Sequence, residues 1–172
     1  MNHTCRTSKT PSLLRKLLSC LPTLFLLSLI FGFSAQDGET SGSLSFQISL
    51  YIVELFSPLL PVVLSQEVLF ERAELIHLFV RKTAHMAEYF LLALSLQLPL
   101  FAWFSEKLST NTRLLIGFLA TVLFAALDEF HQTFVPERSG NLTDVCIDSI
   151  GAIAASLCLA VFYSVHKQRF LR

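Results

Sequence analysis

Seven Asp, Glu, His and Arg residues lie in the segment from Asp128 to Gly151, where the sequence reads DEFHQTFVPERSGNLTDVCIDSIG. Strongly apolar runs precede and follow this segment. A charged side chain near lipid costs several kcal/mol unless it is paired or hydrated. We therefore predict that these groups pair with one another, line a water-filled cavity, or do both, and that the segment belongs to a functional site.

Helical spacing predicts which of the polar groups lie on one face, because residues three and four apart are neighbours on a helix. This spacing occurs in two clusters: His85, Glu88 and Tyr89, and Asp128, His131 and Gln132. Imidazole and carboxylate groups bind divalent metals or transfer protons near neutral pH. Structural pairing within a helix bundle explains the same residues. The sequence has no HExxH motif, so we predict no metal and no cofactor. A catalytic role stays open for His85, Glu88, Asp128 and His131.

Arg138 differs from these residues because it lies in a turn, next to Ser139 and Gly140. Guanidinium binds phosphate or carboxylate through two parallel hydrogen bonds. With Arg81 and Lys82 near the same surface, Arg138 could hold an anionic lipid head group or a lipid-linked wall precursor. The alternative is a salt bridge from Arg138 to Asp128, Glu129 or Asp144.

The composition places these residues in a membrane protein. Of the 172 residues, 53% are hydrophobic and 15% are charged, and the mean hydropathy is +0.59. This usage is too apolar for an ordinary soluble domain. We therefore expect the lipid bilayer as its surroundings and no nucleic-acid partner, whereas protein partners are not identified. The four cysteines show no CxxC spacing, which argues against a zinc site.

Four apolar runs are long enough to cross a bilayer, at 17–34, 83–104, 114–134 and 145–163. The first also resembles a signal peptide, but its centre is longer than usual and Phe33 suits cleavage poorly. We expect residues 36–45 to form a polar loop. Residues 67–80 have the pattern of an amphipathic helix that Arg81 and Lys82 end.

Residues 46–65 are apolar enough to be counted as a further span. Glu54, Pro58 and Pro61 divide this run into short pieces, which favours an interfacial or re-entrant segment. We therefore predict an all-α fold, a polytopic membrane helix bundle of four transmembrane helices with amphipathic interfacial helices in the first outer segment.

The distribution of positive charge predicts the orientation of this bundle. If the four spans alternate, the amino terminus, the 105–113 linker and the carboxyl-terminal tail share one side and carry nine of the 13 Lys and Arg residues. Positively charged loops favour the cytoplasmic side. Residues 1–16 and 165–172 are then cytoplasmic segments that flank one membrane domain, 17–164. The polar clusters lie at the outer ends of the helices and should converge there.

Three motifs at the heads of successive spans resemble those of the VanZ-like family: RKTAHMAEY at 81–89, DEFHQTFVPERSG at 128–140 and LTDVCIDSIGA at 142–152. The family pattern reads RK-x-x-H-x-x-E-Y, then DE-x-x-Q-x-F-x-P-x-R, then D-V-x-x-N-x-x-G. The resemblance implies the site residues by motif: Arg81, Lys82, His85, Glu88, Tyr89, Asp128, Glu129, Gln132, Arg138 and Asp144.

Two residues depart from the family pattern. Asp148 stands where the family usually has Asn and makes the site more acidic. Glu137 stands where a Gly commonly precedes the arginine. The resemblance implies a bacterial plasma-membrane protein, and founding members of the family are associated with resistance to teicoplanin.

Three functions remain open from the sequence. The first is a membrane protein that binds an envelope lipid or wall-related ligand at an outward-facing polar site and affects glycopeptide susceptibility. The second is a membrane-embedded enzyme acting on a lipid or polyprenyl-linked substrate. The third is a non-catalytic membrane scaffold.

Overall fold

The computed structural model describes residues 12–61 and 64–169, with side chains described as far as His166. In this part of the chain the regular structure is helical, as predicted. Five α-helices follow in order: α1 (Leu13–Ser34), α2 (Gly38–Phe56), α3 (Gln66–Phe104), α4 (Thr110–Gln132) and α5 (Leu142–Arg169). Among the described residues, α1, α3, α4 and α5 are long and apolar enough to cross a membrane.

The amphipathic stretch and the second span form one helix, α3, of 39 residues. The prediction that Arg81 and Lys82 end a separate helix was therefore wrong. Neither residue interrupts helical hydrogen bonding, since the nearest proline in α3 is Pro99. At 1.5 Å per residue α3 is about 58 Å long, roughly twice the hydrocarbon thickness of a bilayer. It therefore continues well beyond the other helices of the bundle.

Helix α2 occupies most of the segment between the first two spans. The predicted loop at 36–45 was wrong from Gly38 onward, because Asp37 caps α2 by accepting a 2.6 Å hydrogen bond from the Thr40 N–H. Hydrogen bonds from the Thr40 backbone and hydroxyl hold the pKa of Asp37 below its usual range. A short 3-10 turn, Ser57–Leu59, follows α2 and contains Pro58. Segment 46–65 is thus not among the candidate spans of the described chain.

Small residues allow the helices to approach closely. Ala93 on α3 and Ala152 and Ala155 on α5 form a buried cluster. A Cβ at Gly151 would overlap the Met86 carbonyl oxygen, so the α3–α5 crossing requires glycine at this position. Helix packing in membranes commonly relies on such small residues. The same crossing places the middle of α3 beside the first part of α5.

A second buried cluster joins α1, α3 and α4 directly below the polar residues. Ile30, Tyr89, Leu92 and Ala125 form its centre and are almost completely buried. Phe46 on α2 and Phe70 on α3 stack with their ring centroids 6.0 Å apart, which attaches α2 to the first part of α3. The bundle therefore brings the end of α1, the middle of α3, the end of α4 and the start of α5 to one place, which is the candidate site.

Candidate functional site

A polar cavity of about 190 Å³ lies between the middle of α3, the first turns of α5, the end of α4 and the turn that joins α4 to α5. Its lining is Leu78, Arg81, Lys82, His85, Glu129, Gln132, Glu137, Arg138, Ser139, Asp144, Ile147 and Asp148. All three sequence motifs therefore contribute to one cavity, although Lys82 of the first and Asp144 of the third lie 62 residues apart along the chain.

Arg138 projects from the α4–α5 turn toward the end of α1. Its Nη2 donates a 3.0 Å hydrogen bond to the Phe33 carbonyl oxygen, whereas Nε and Nη1 are buried and have no partner among the described residues. Burial lowers the pKa of Arg138, and the positive charge of Arg81 lowers it further. The guanidinium thus retains two unused donors beside a second cation.

None of the three predicted salt bridges of Arg138 occurs in the described chain, where the ion pairs within 4.0 Å involve Lys82, His77 and His85. Asp144 instead pairs with Lys82 across the cavity. Arg81 also lines the cavity without a carboxylate within 4.0 Å among the described residues. Two guanidinium groups in one cavity therefore have no carboxylate within 4.0 Å among the described residues.

Three of the carboxylates that line the polar cavity are engaged by the protein itself. Asp144 pairs with Lys82, and Glu129 Oε2 accepts a 2.9 Å hydrogen bond from the Asn141 N–H. Glu137 Oε2 accepts a 3.1 Å hydrogen bond from the N–H of Glu39 at the start of α2. Asp148 differs, because it is 3% exposed and receives no hydrogen bond from the described residues. Its carboxylate is thus available to a hydroxyl donor.

Tyr89 and Asp128 lie behind the cavity rather than in its wall. The Tyr89 hydroxyl donates a 3.0 Å hydrogen bond to Asp128 Oδ2, and Gln132 Nε2 donates a 3.1 Å hydrogen bond to the same oxygen. All three side chains are buried, and Asp128 Oδ1 has no partner in the described chain. This arrangement fixes α3 against α4 and positions Gln132 in the cavity lining.

His85 and His131, both predicted as chemical candidates, have different surroundings. His85 Nδ1 lies 3.5 Å from Glu88 Oε2, and His85 borders the polar cavity. His131 instead packs on Phe31 of α1, with ring centroids 4.8 Å apart, and its buried Nδ1 has no partner among the described residues. His131 does not line the cavity, so the structure separates it from the other polar groups.

The structure therefore divides the ten predicted ligand residues into two sets. The first set lines the polar cavity: Arg81, Lys82, His85, Glu129, Gln132, Arg138 and Asp144. Glu88, Tyr89 and Asp128 support it from outside. Asp148 and Ser139 also line the cavity and were not in the predicted set. The spacing of Asp148, four residues after Asp144, could have included it.

The backbone conformation of Glu137 explains why the family pattern commonly has glycine at this position. Its φ of 58° is the only positive value among the non-glycine residues described. This conformation is strained for a residue with a Cβ. The turn also brings the Gly38 N–H within 3.1 Å of the Pro136 carbonyl oxygen. A Cβ at Gly38 would overlap Glu137, so the turn packs directly on the start of α2.

The fold and the cavity define a multi-pass helical membrane protein with a polar site at one end of its bundle. A family model described as VanZ/LLP1 matches residues 19–163, which cover most of the chain and all three motifs. The chain therefore belongs to the VanZ-like family. Comparisons with curated proteins and with solved structures gave no match.

Proposed function

We propose that this protein binds the anionic head group of an envelope lipid or a lipid-linked wall precursor in the polar cavity. The observation that carries the proposal is the pair of guanidinium groups, Arg81 and Arg138, which line one cavity without an ion pair in the described chain. Buried polar groups without partners are costly, and a charged group more so. A phosphate between the two groups would supply the missing acceptors.

The other cavity residues suit a head group that also carries hydroxyls. Asp148 is a buried acceptor without a protein donor, and the amide of Gln132 borders the same space. A hydroxyl group of the ligand, separate from its phosphate, would donate a hydrogen bond to the Asp148 carboxylate. The site therefore favours a phosphate ester of an alcohol or sugar over a simple inorganic anion.

The binding test uses purified protein in detergent and measures lipid retention by native mass spectrometry. Arg138→Gln and Arg81→Gln should each weaken binding of an anionic phospholipid about tenfold, since a hydrogen bond to a charged group contributes about 1.5–3 kcal/mol. Arg72→Gln is the matched control, because Arg72 is on α3 but outside the cavity. Equal retention by all three variants would refute the proposal.

We place the cavity at the outer face of the membrane, on the charge distribution described above. A glycopeptide acts on wall precursors at that face, so a protein that holds such lipids there would change the access of drug or precursor. We expect expression in a susceptible Gram-positive host to raise tolerance to teicoplanin more than to vancomycin. Growth inhibition should be compared for wild type, Arg138→Ala and Asp128→Asn at matched protein levels. Equal susceptibility of wild type and empty vector to both drugs would exclude this role.

A second candidate function is a membrane-embedded enzyme acting on the bound lipid. The observation that favours it is the His85–Glu88 pair, which places an imidazole nitrogen 3.5 Å from a carboxylate oxygen at the edge of the cavity. Such a pair can transfer protons to a ligand. Product analysis after incubation with phospholipid or polyprenyl phosphate separates the two functions. An enzyme loses turnover in His85→Gln, whereas a binder shows no product with either protein.

A further inference from the structure

A second, smaller cavity of about 150 Å³ opens beside the polar cavity, between the end of α1, α2 and α3. We call it the side slot. Its apolar walls are Phe33, Leu44, Ile48, Val80 and Ala84. Arg81, His85 and Arg138 line both cavities, so they form the boundary between them. A ligand phosphate held by the two arginines would therefore lie next to an apolar channel.

The side slot also has polar residues in its lining, namely Gln36, Ser41, Ser45 and Glu88. Gln36 and Ser41 line it, and neither side chain has a hydrogen-bond partner among the described residues. They lie at the junction of α1 and α2 and precede the apolar Leu44 and Ile48 along the chain. The lining of the side slot thus combines cations at the boundary with neutral polar groups, the carboxylate of Glu88 and an apolar wall.

We propose that the ligand is a glycerophospholipid with an anionic head group, bound with its phosphate at Arg81 and Arg138 and the start of one acyl chain in the side slot. This inference rests on the proposed function and adds the class of lipid. In a glycerophospholipid, ester oxygens separate the phosphate from the hydrocarbon, and they match Gln36 and Ser41. In a polyprenyl phosphate the hydrocarbon follows the phosphate oxygen directly and leaves both groups without acceptors.

The volume of the side slot limits how much of the lipid's acyl chain it can hold. A cavity of roughly 150 Å³ accommodates a benzene-sized apolar group. The side slot therefore encloses the first few carbons, and the remainder of the acyl chain extends along the exposed apolar surface of α2. Ile48 is 44% exposed and Leu44 is 42% exposed, so both present apolar surface outside the slot as well.

The test compares the purified full chain with four probes by native mass spectrometry: phosphatidylglycerol, phosphatidylcholine, undecaprenyl phosphate and soluble glycerol 3-phosphate. Ile48→Trp and Leu44→Trp fill the side slot. Leu55→Trp is the matched control, because Leu55 is an exposed residue of α2 outside the slot. Melting temperatures establish that each variant is folded, and a folded Leu44→Trp serves if Ile48→Trp is not.

We expect the slot variants to bind phosphatidylglycerol about tenfold more weakly, as the loss of two buried methylene groups predicts. Leu55→Trp should bind normally, and binding of glycerol 3-phosphate should be equal in all three. Gln36→Ala with Ser41→Ala should narrow the preference for phosphatidylglycerol over undecaprenyl phosphate.

The outcomes distinguish this inference from the proposed function. If Arg138→Gln weakens phosphatidylglycerol binding but the slot variants do not, the result supports the proposed phosphate site. The side slot then does not bind the acyl chain. If undecaprenyl phosphate binds more tightly than phosphatidylglycerol to the wild type, the glycerophospholipid assignment is wrong. If Arg138→Gln weakens no lipid, both proposals fail. Equal binding of phosphatidylcholine and phosphatidylglycerol would also contradict a site built on two cations.

Discussion

The Tyr89 hydroxyl on α3 donates a 3.0 Å hydrogen bond to Asp128 Oδ2 on α4, and both side chains are buried. The bond links the RKTAHMAEY motif to the DEFHQTFVPERSG motif inside the bundle. It therefore belongs to the support of the polar cavity rather than to its surface.

Removal of this hydroxyl should destabilise the bundle. Tyr89→Phe leaves Asp128 Oδ2 with Gln132 as its remaining described donor. We expect a loss of about 1–3 kcal/mol in the free energy of unfolding, because a buried acceptor loses a partner. Thermal unfolding in detergent measures it. Tyr51→Phe, at a 65% exposed position on α2, is the control and should change stability little. Equal effects of the two substitutions would contradict a structural role for the bond.

Gly151 should tolerate no side chain at the α3–α5 crossing. Gly151→Ala places a methyl group against the Met86 carbonyl oxygen, which belongs to the backbone and cannot rotate away. We expect a lower melting temperature and weaker ligand binding, since the crossing positions the middle of α3 and the first part of α5, which both line the cavity. Gly32→Ala is the matched control, because nothing lies within 4 Å of its added Cβ and alanine favours helix. A lower melting temperature for Gly32→Ala together with an unchanged one for Gly151→Ala would contradict the requirement for glycine at the α3–α5 crossing.

Glu137 allows backbone strain to be separated from hydrogen bonding. Both Glu137→Ala and Glu137→Gly remove the bond to the Glu39 N–H, but only alanine keeps a Cβ at a φ of 58°. Glu137→Ala should therefore be less stable than Glu137→Gly by about 1 kcal/mol, despite the greater entropy of unfolded glycine. Chemical denaturation of the two variants measures the difference. Equal stability would mean that the turn relaxes to a negative φ.

Asp144 should be coupled to Lys82 rather than to Arg138. The sequence left open a salt bridge from Arg138 to Asp128, Glu129 or Asp144, but in the described chain Asp128, Arg138 and Asp144 contact different partners. We expect a double-mutant cycle of Lys82→Ala and Asp144→Ala to give a coupling of up to about 1 kcal/mol, as for other partly exposed pairs. Arg138→Ala and Asp144→Ala should be additive. Strong coupling between Arg138 and Asp144 would instead support a salt bridge between these two residues.

Thiol labelling in intact cells tests the predicted orientation of the bundle. A cysteine at the exposed Ser139 should react with an impermeant reagent from outside, because the nine-to-four charge distribution places the α4–α5 turn there. Cysteines at position 5 and at the exposed Ser109, before α4, should be spared until the cells are permeabilised. Strong outside labelling of Cys5 would overturn the topology and the outward-facing cavity together.

Much of the architecture follows from local properties of the sequence. Apolar run length predicted four spans because a bilayer imposes a minimum length on any helix that crosses it. The three motifs, in their order along the chain, predicted the family and most of the cavity lining. Side chains that share one helix face are spaced three or four residues apart, and this spacing is visible in the sequence. The positive φ of Glu137 also agrees with a local signal, the glycine common at this position in the family pattern.

Tertiary packing decided the rest. Residues 67–80 and the second span form one helix because the backbone stays helical through Arg81 and Lys82. The charge pattern had predicted that these two residues end a separate helix. Partners of charged groups were not predictable, because a guanidinium can pair with any of several carboxylates until the backbone fixes their distances. Arg138 reaches the Phe33 carbonyl oxygen, 105 residues away in the chain, and His131 faces α1 rather than the cavity. The sequence determined which polar groups this membrane protein has, and the helix crossings determined which of them meet.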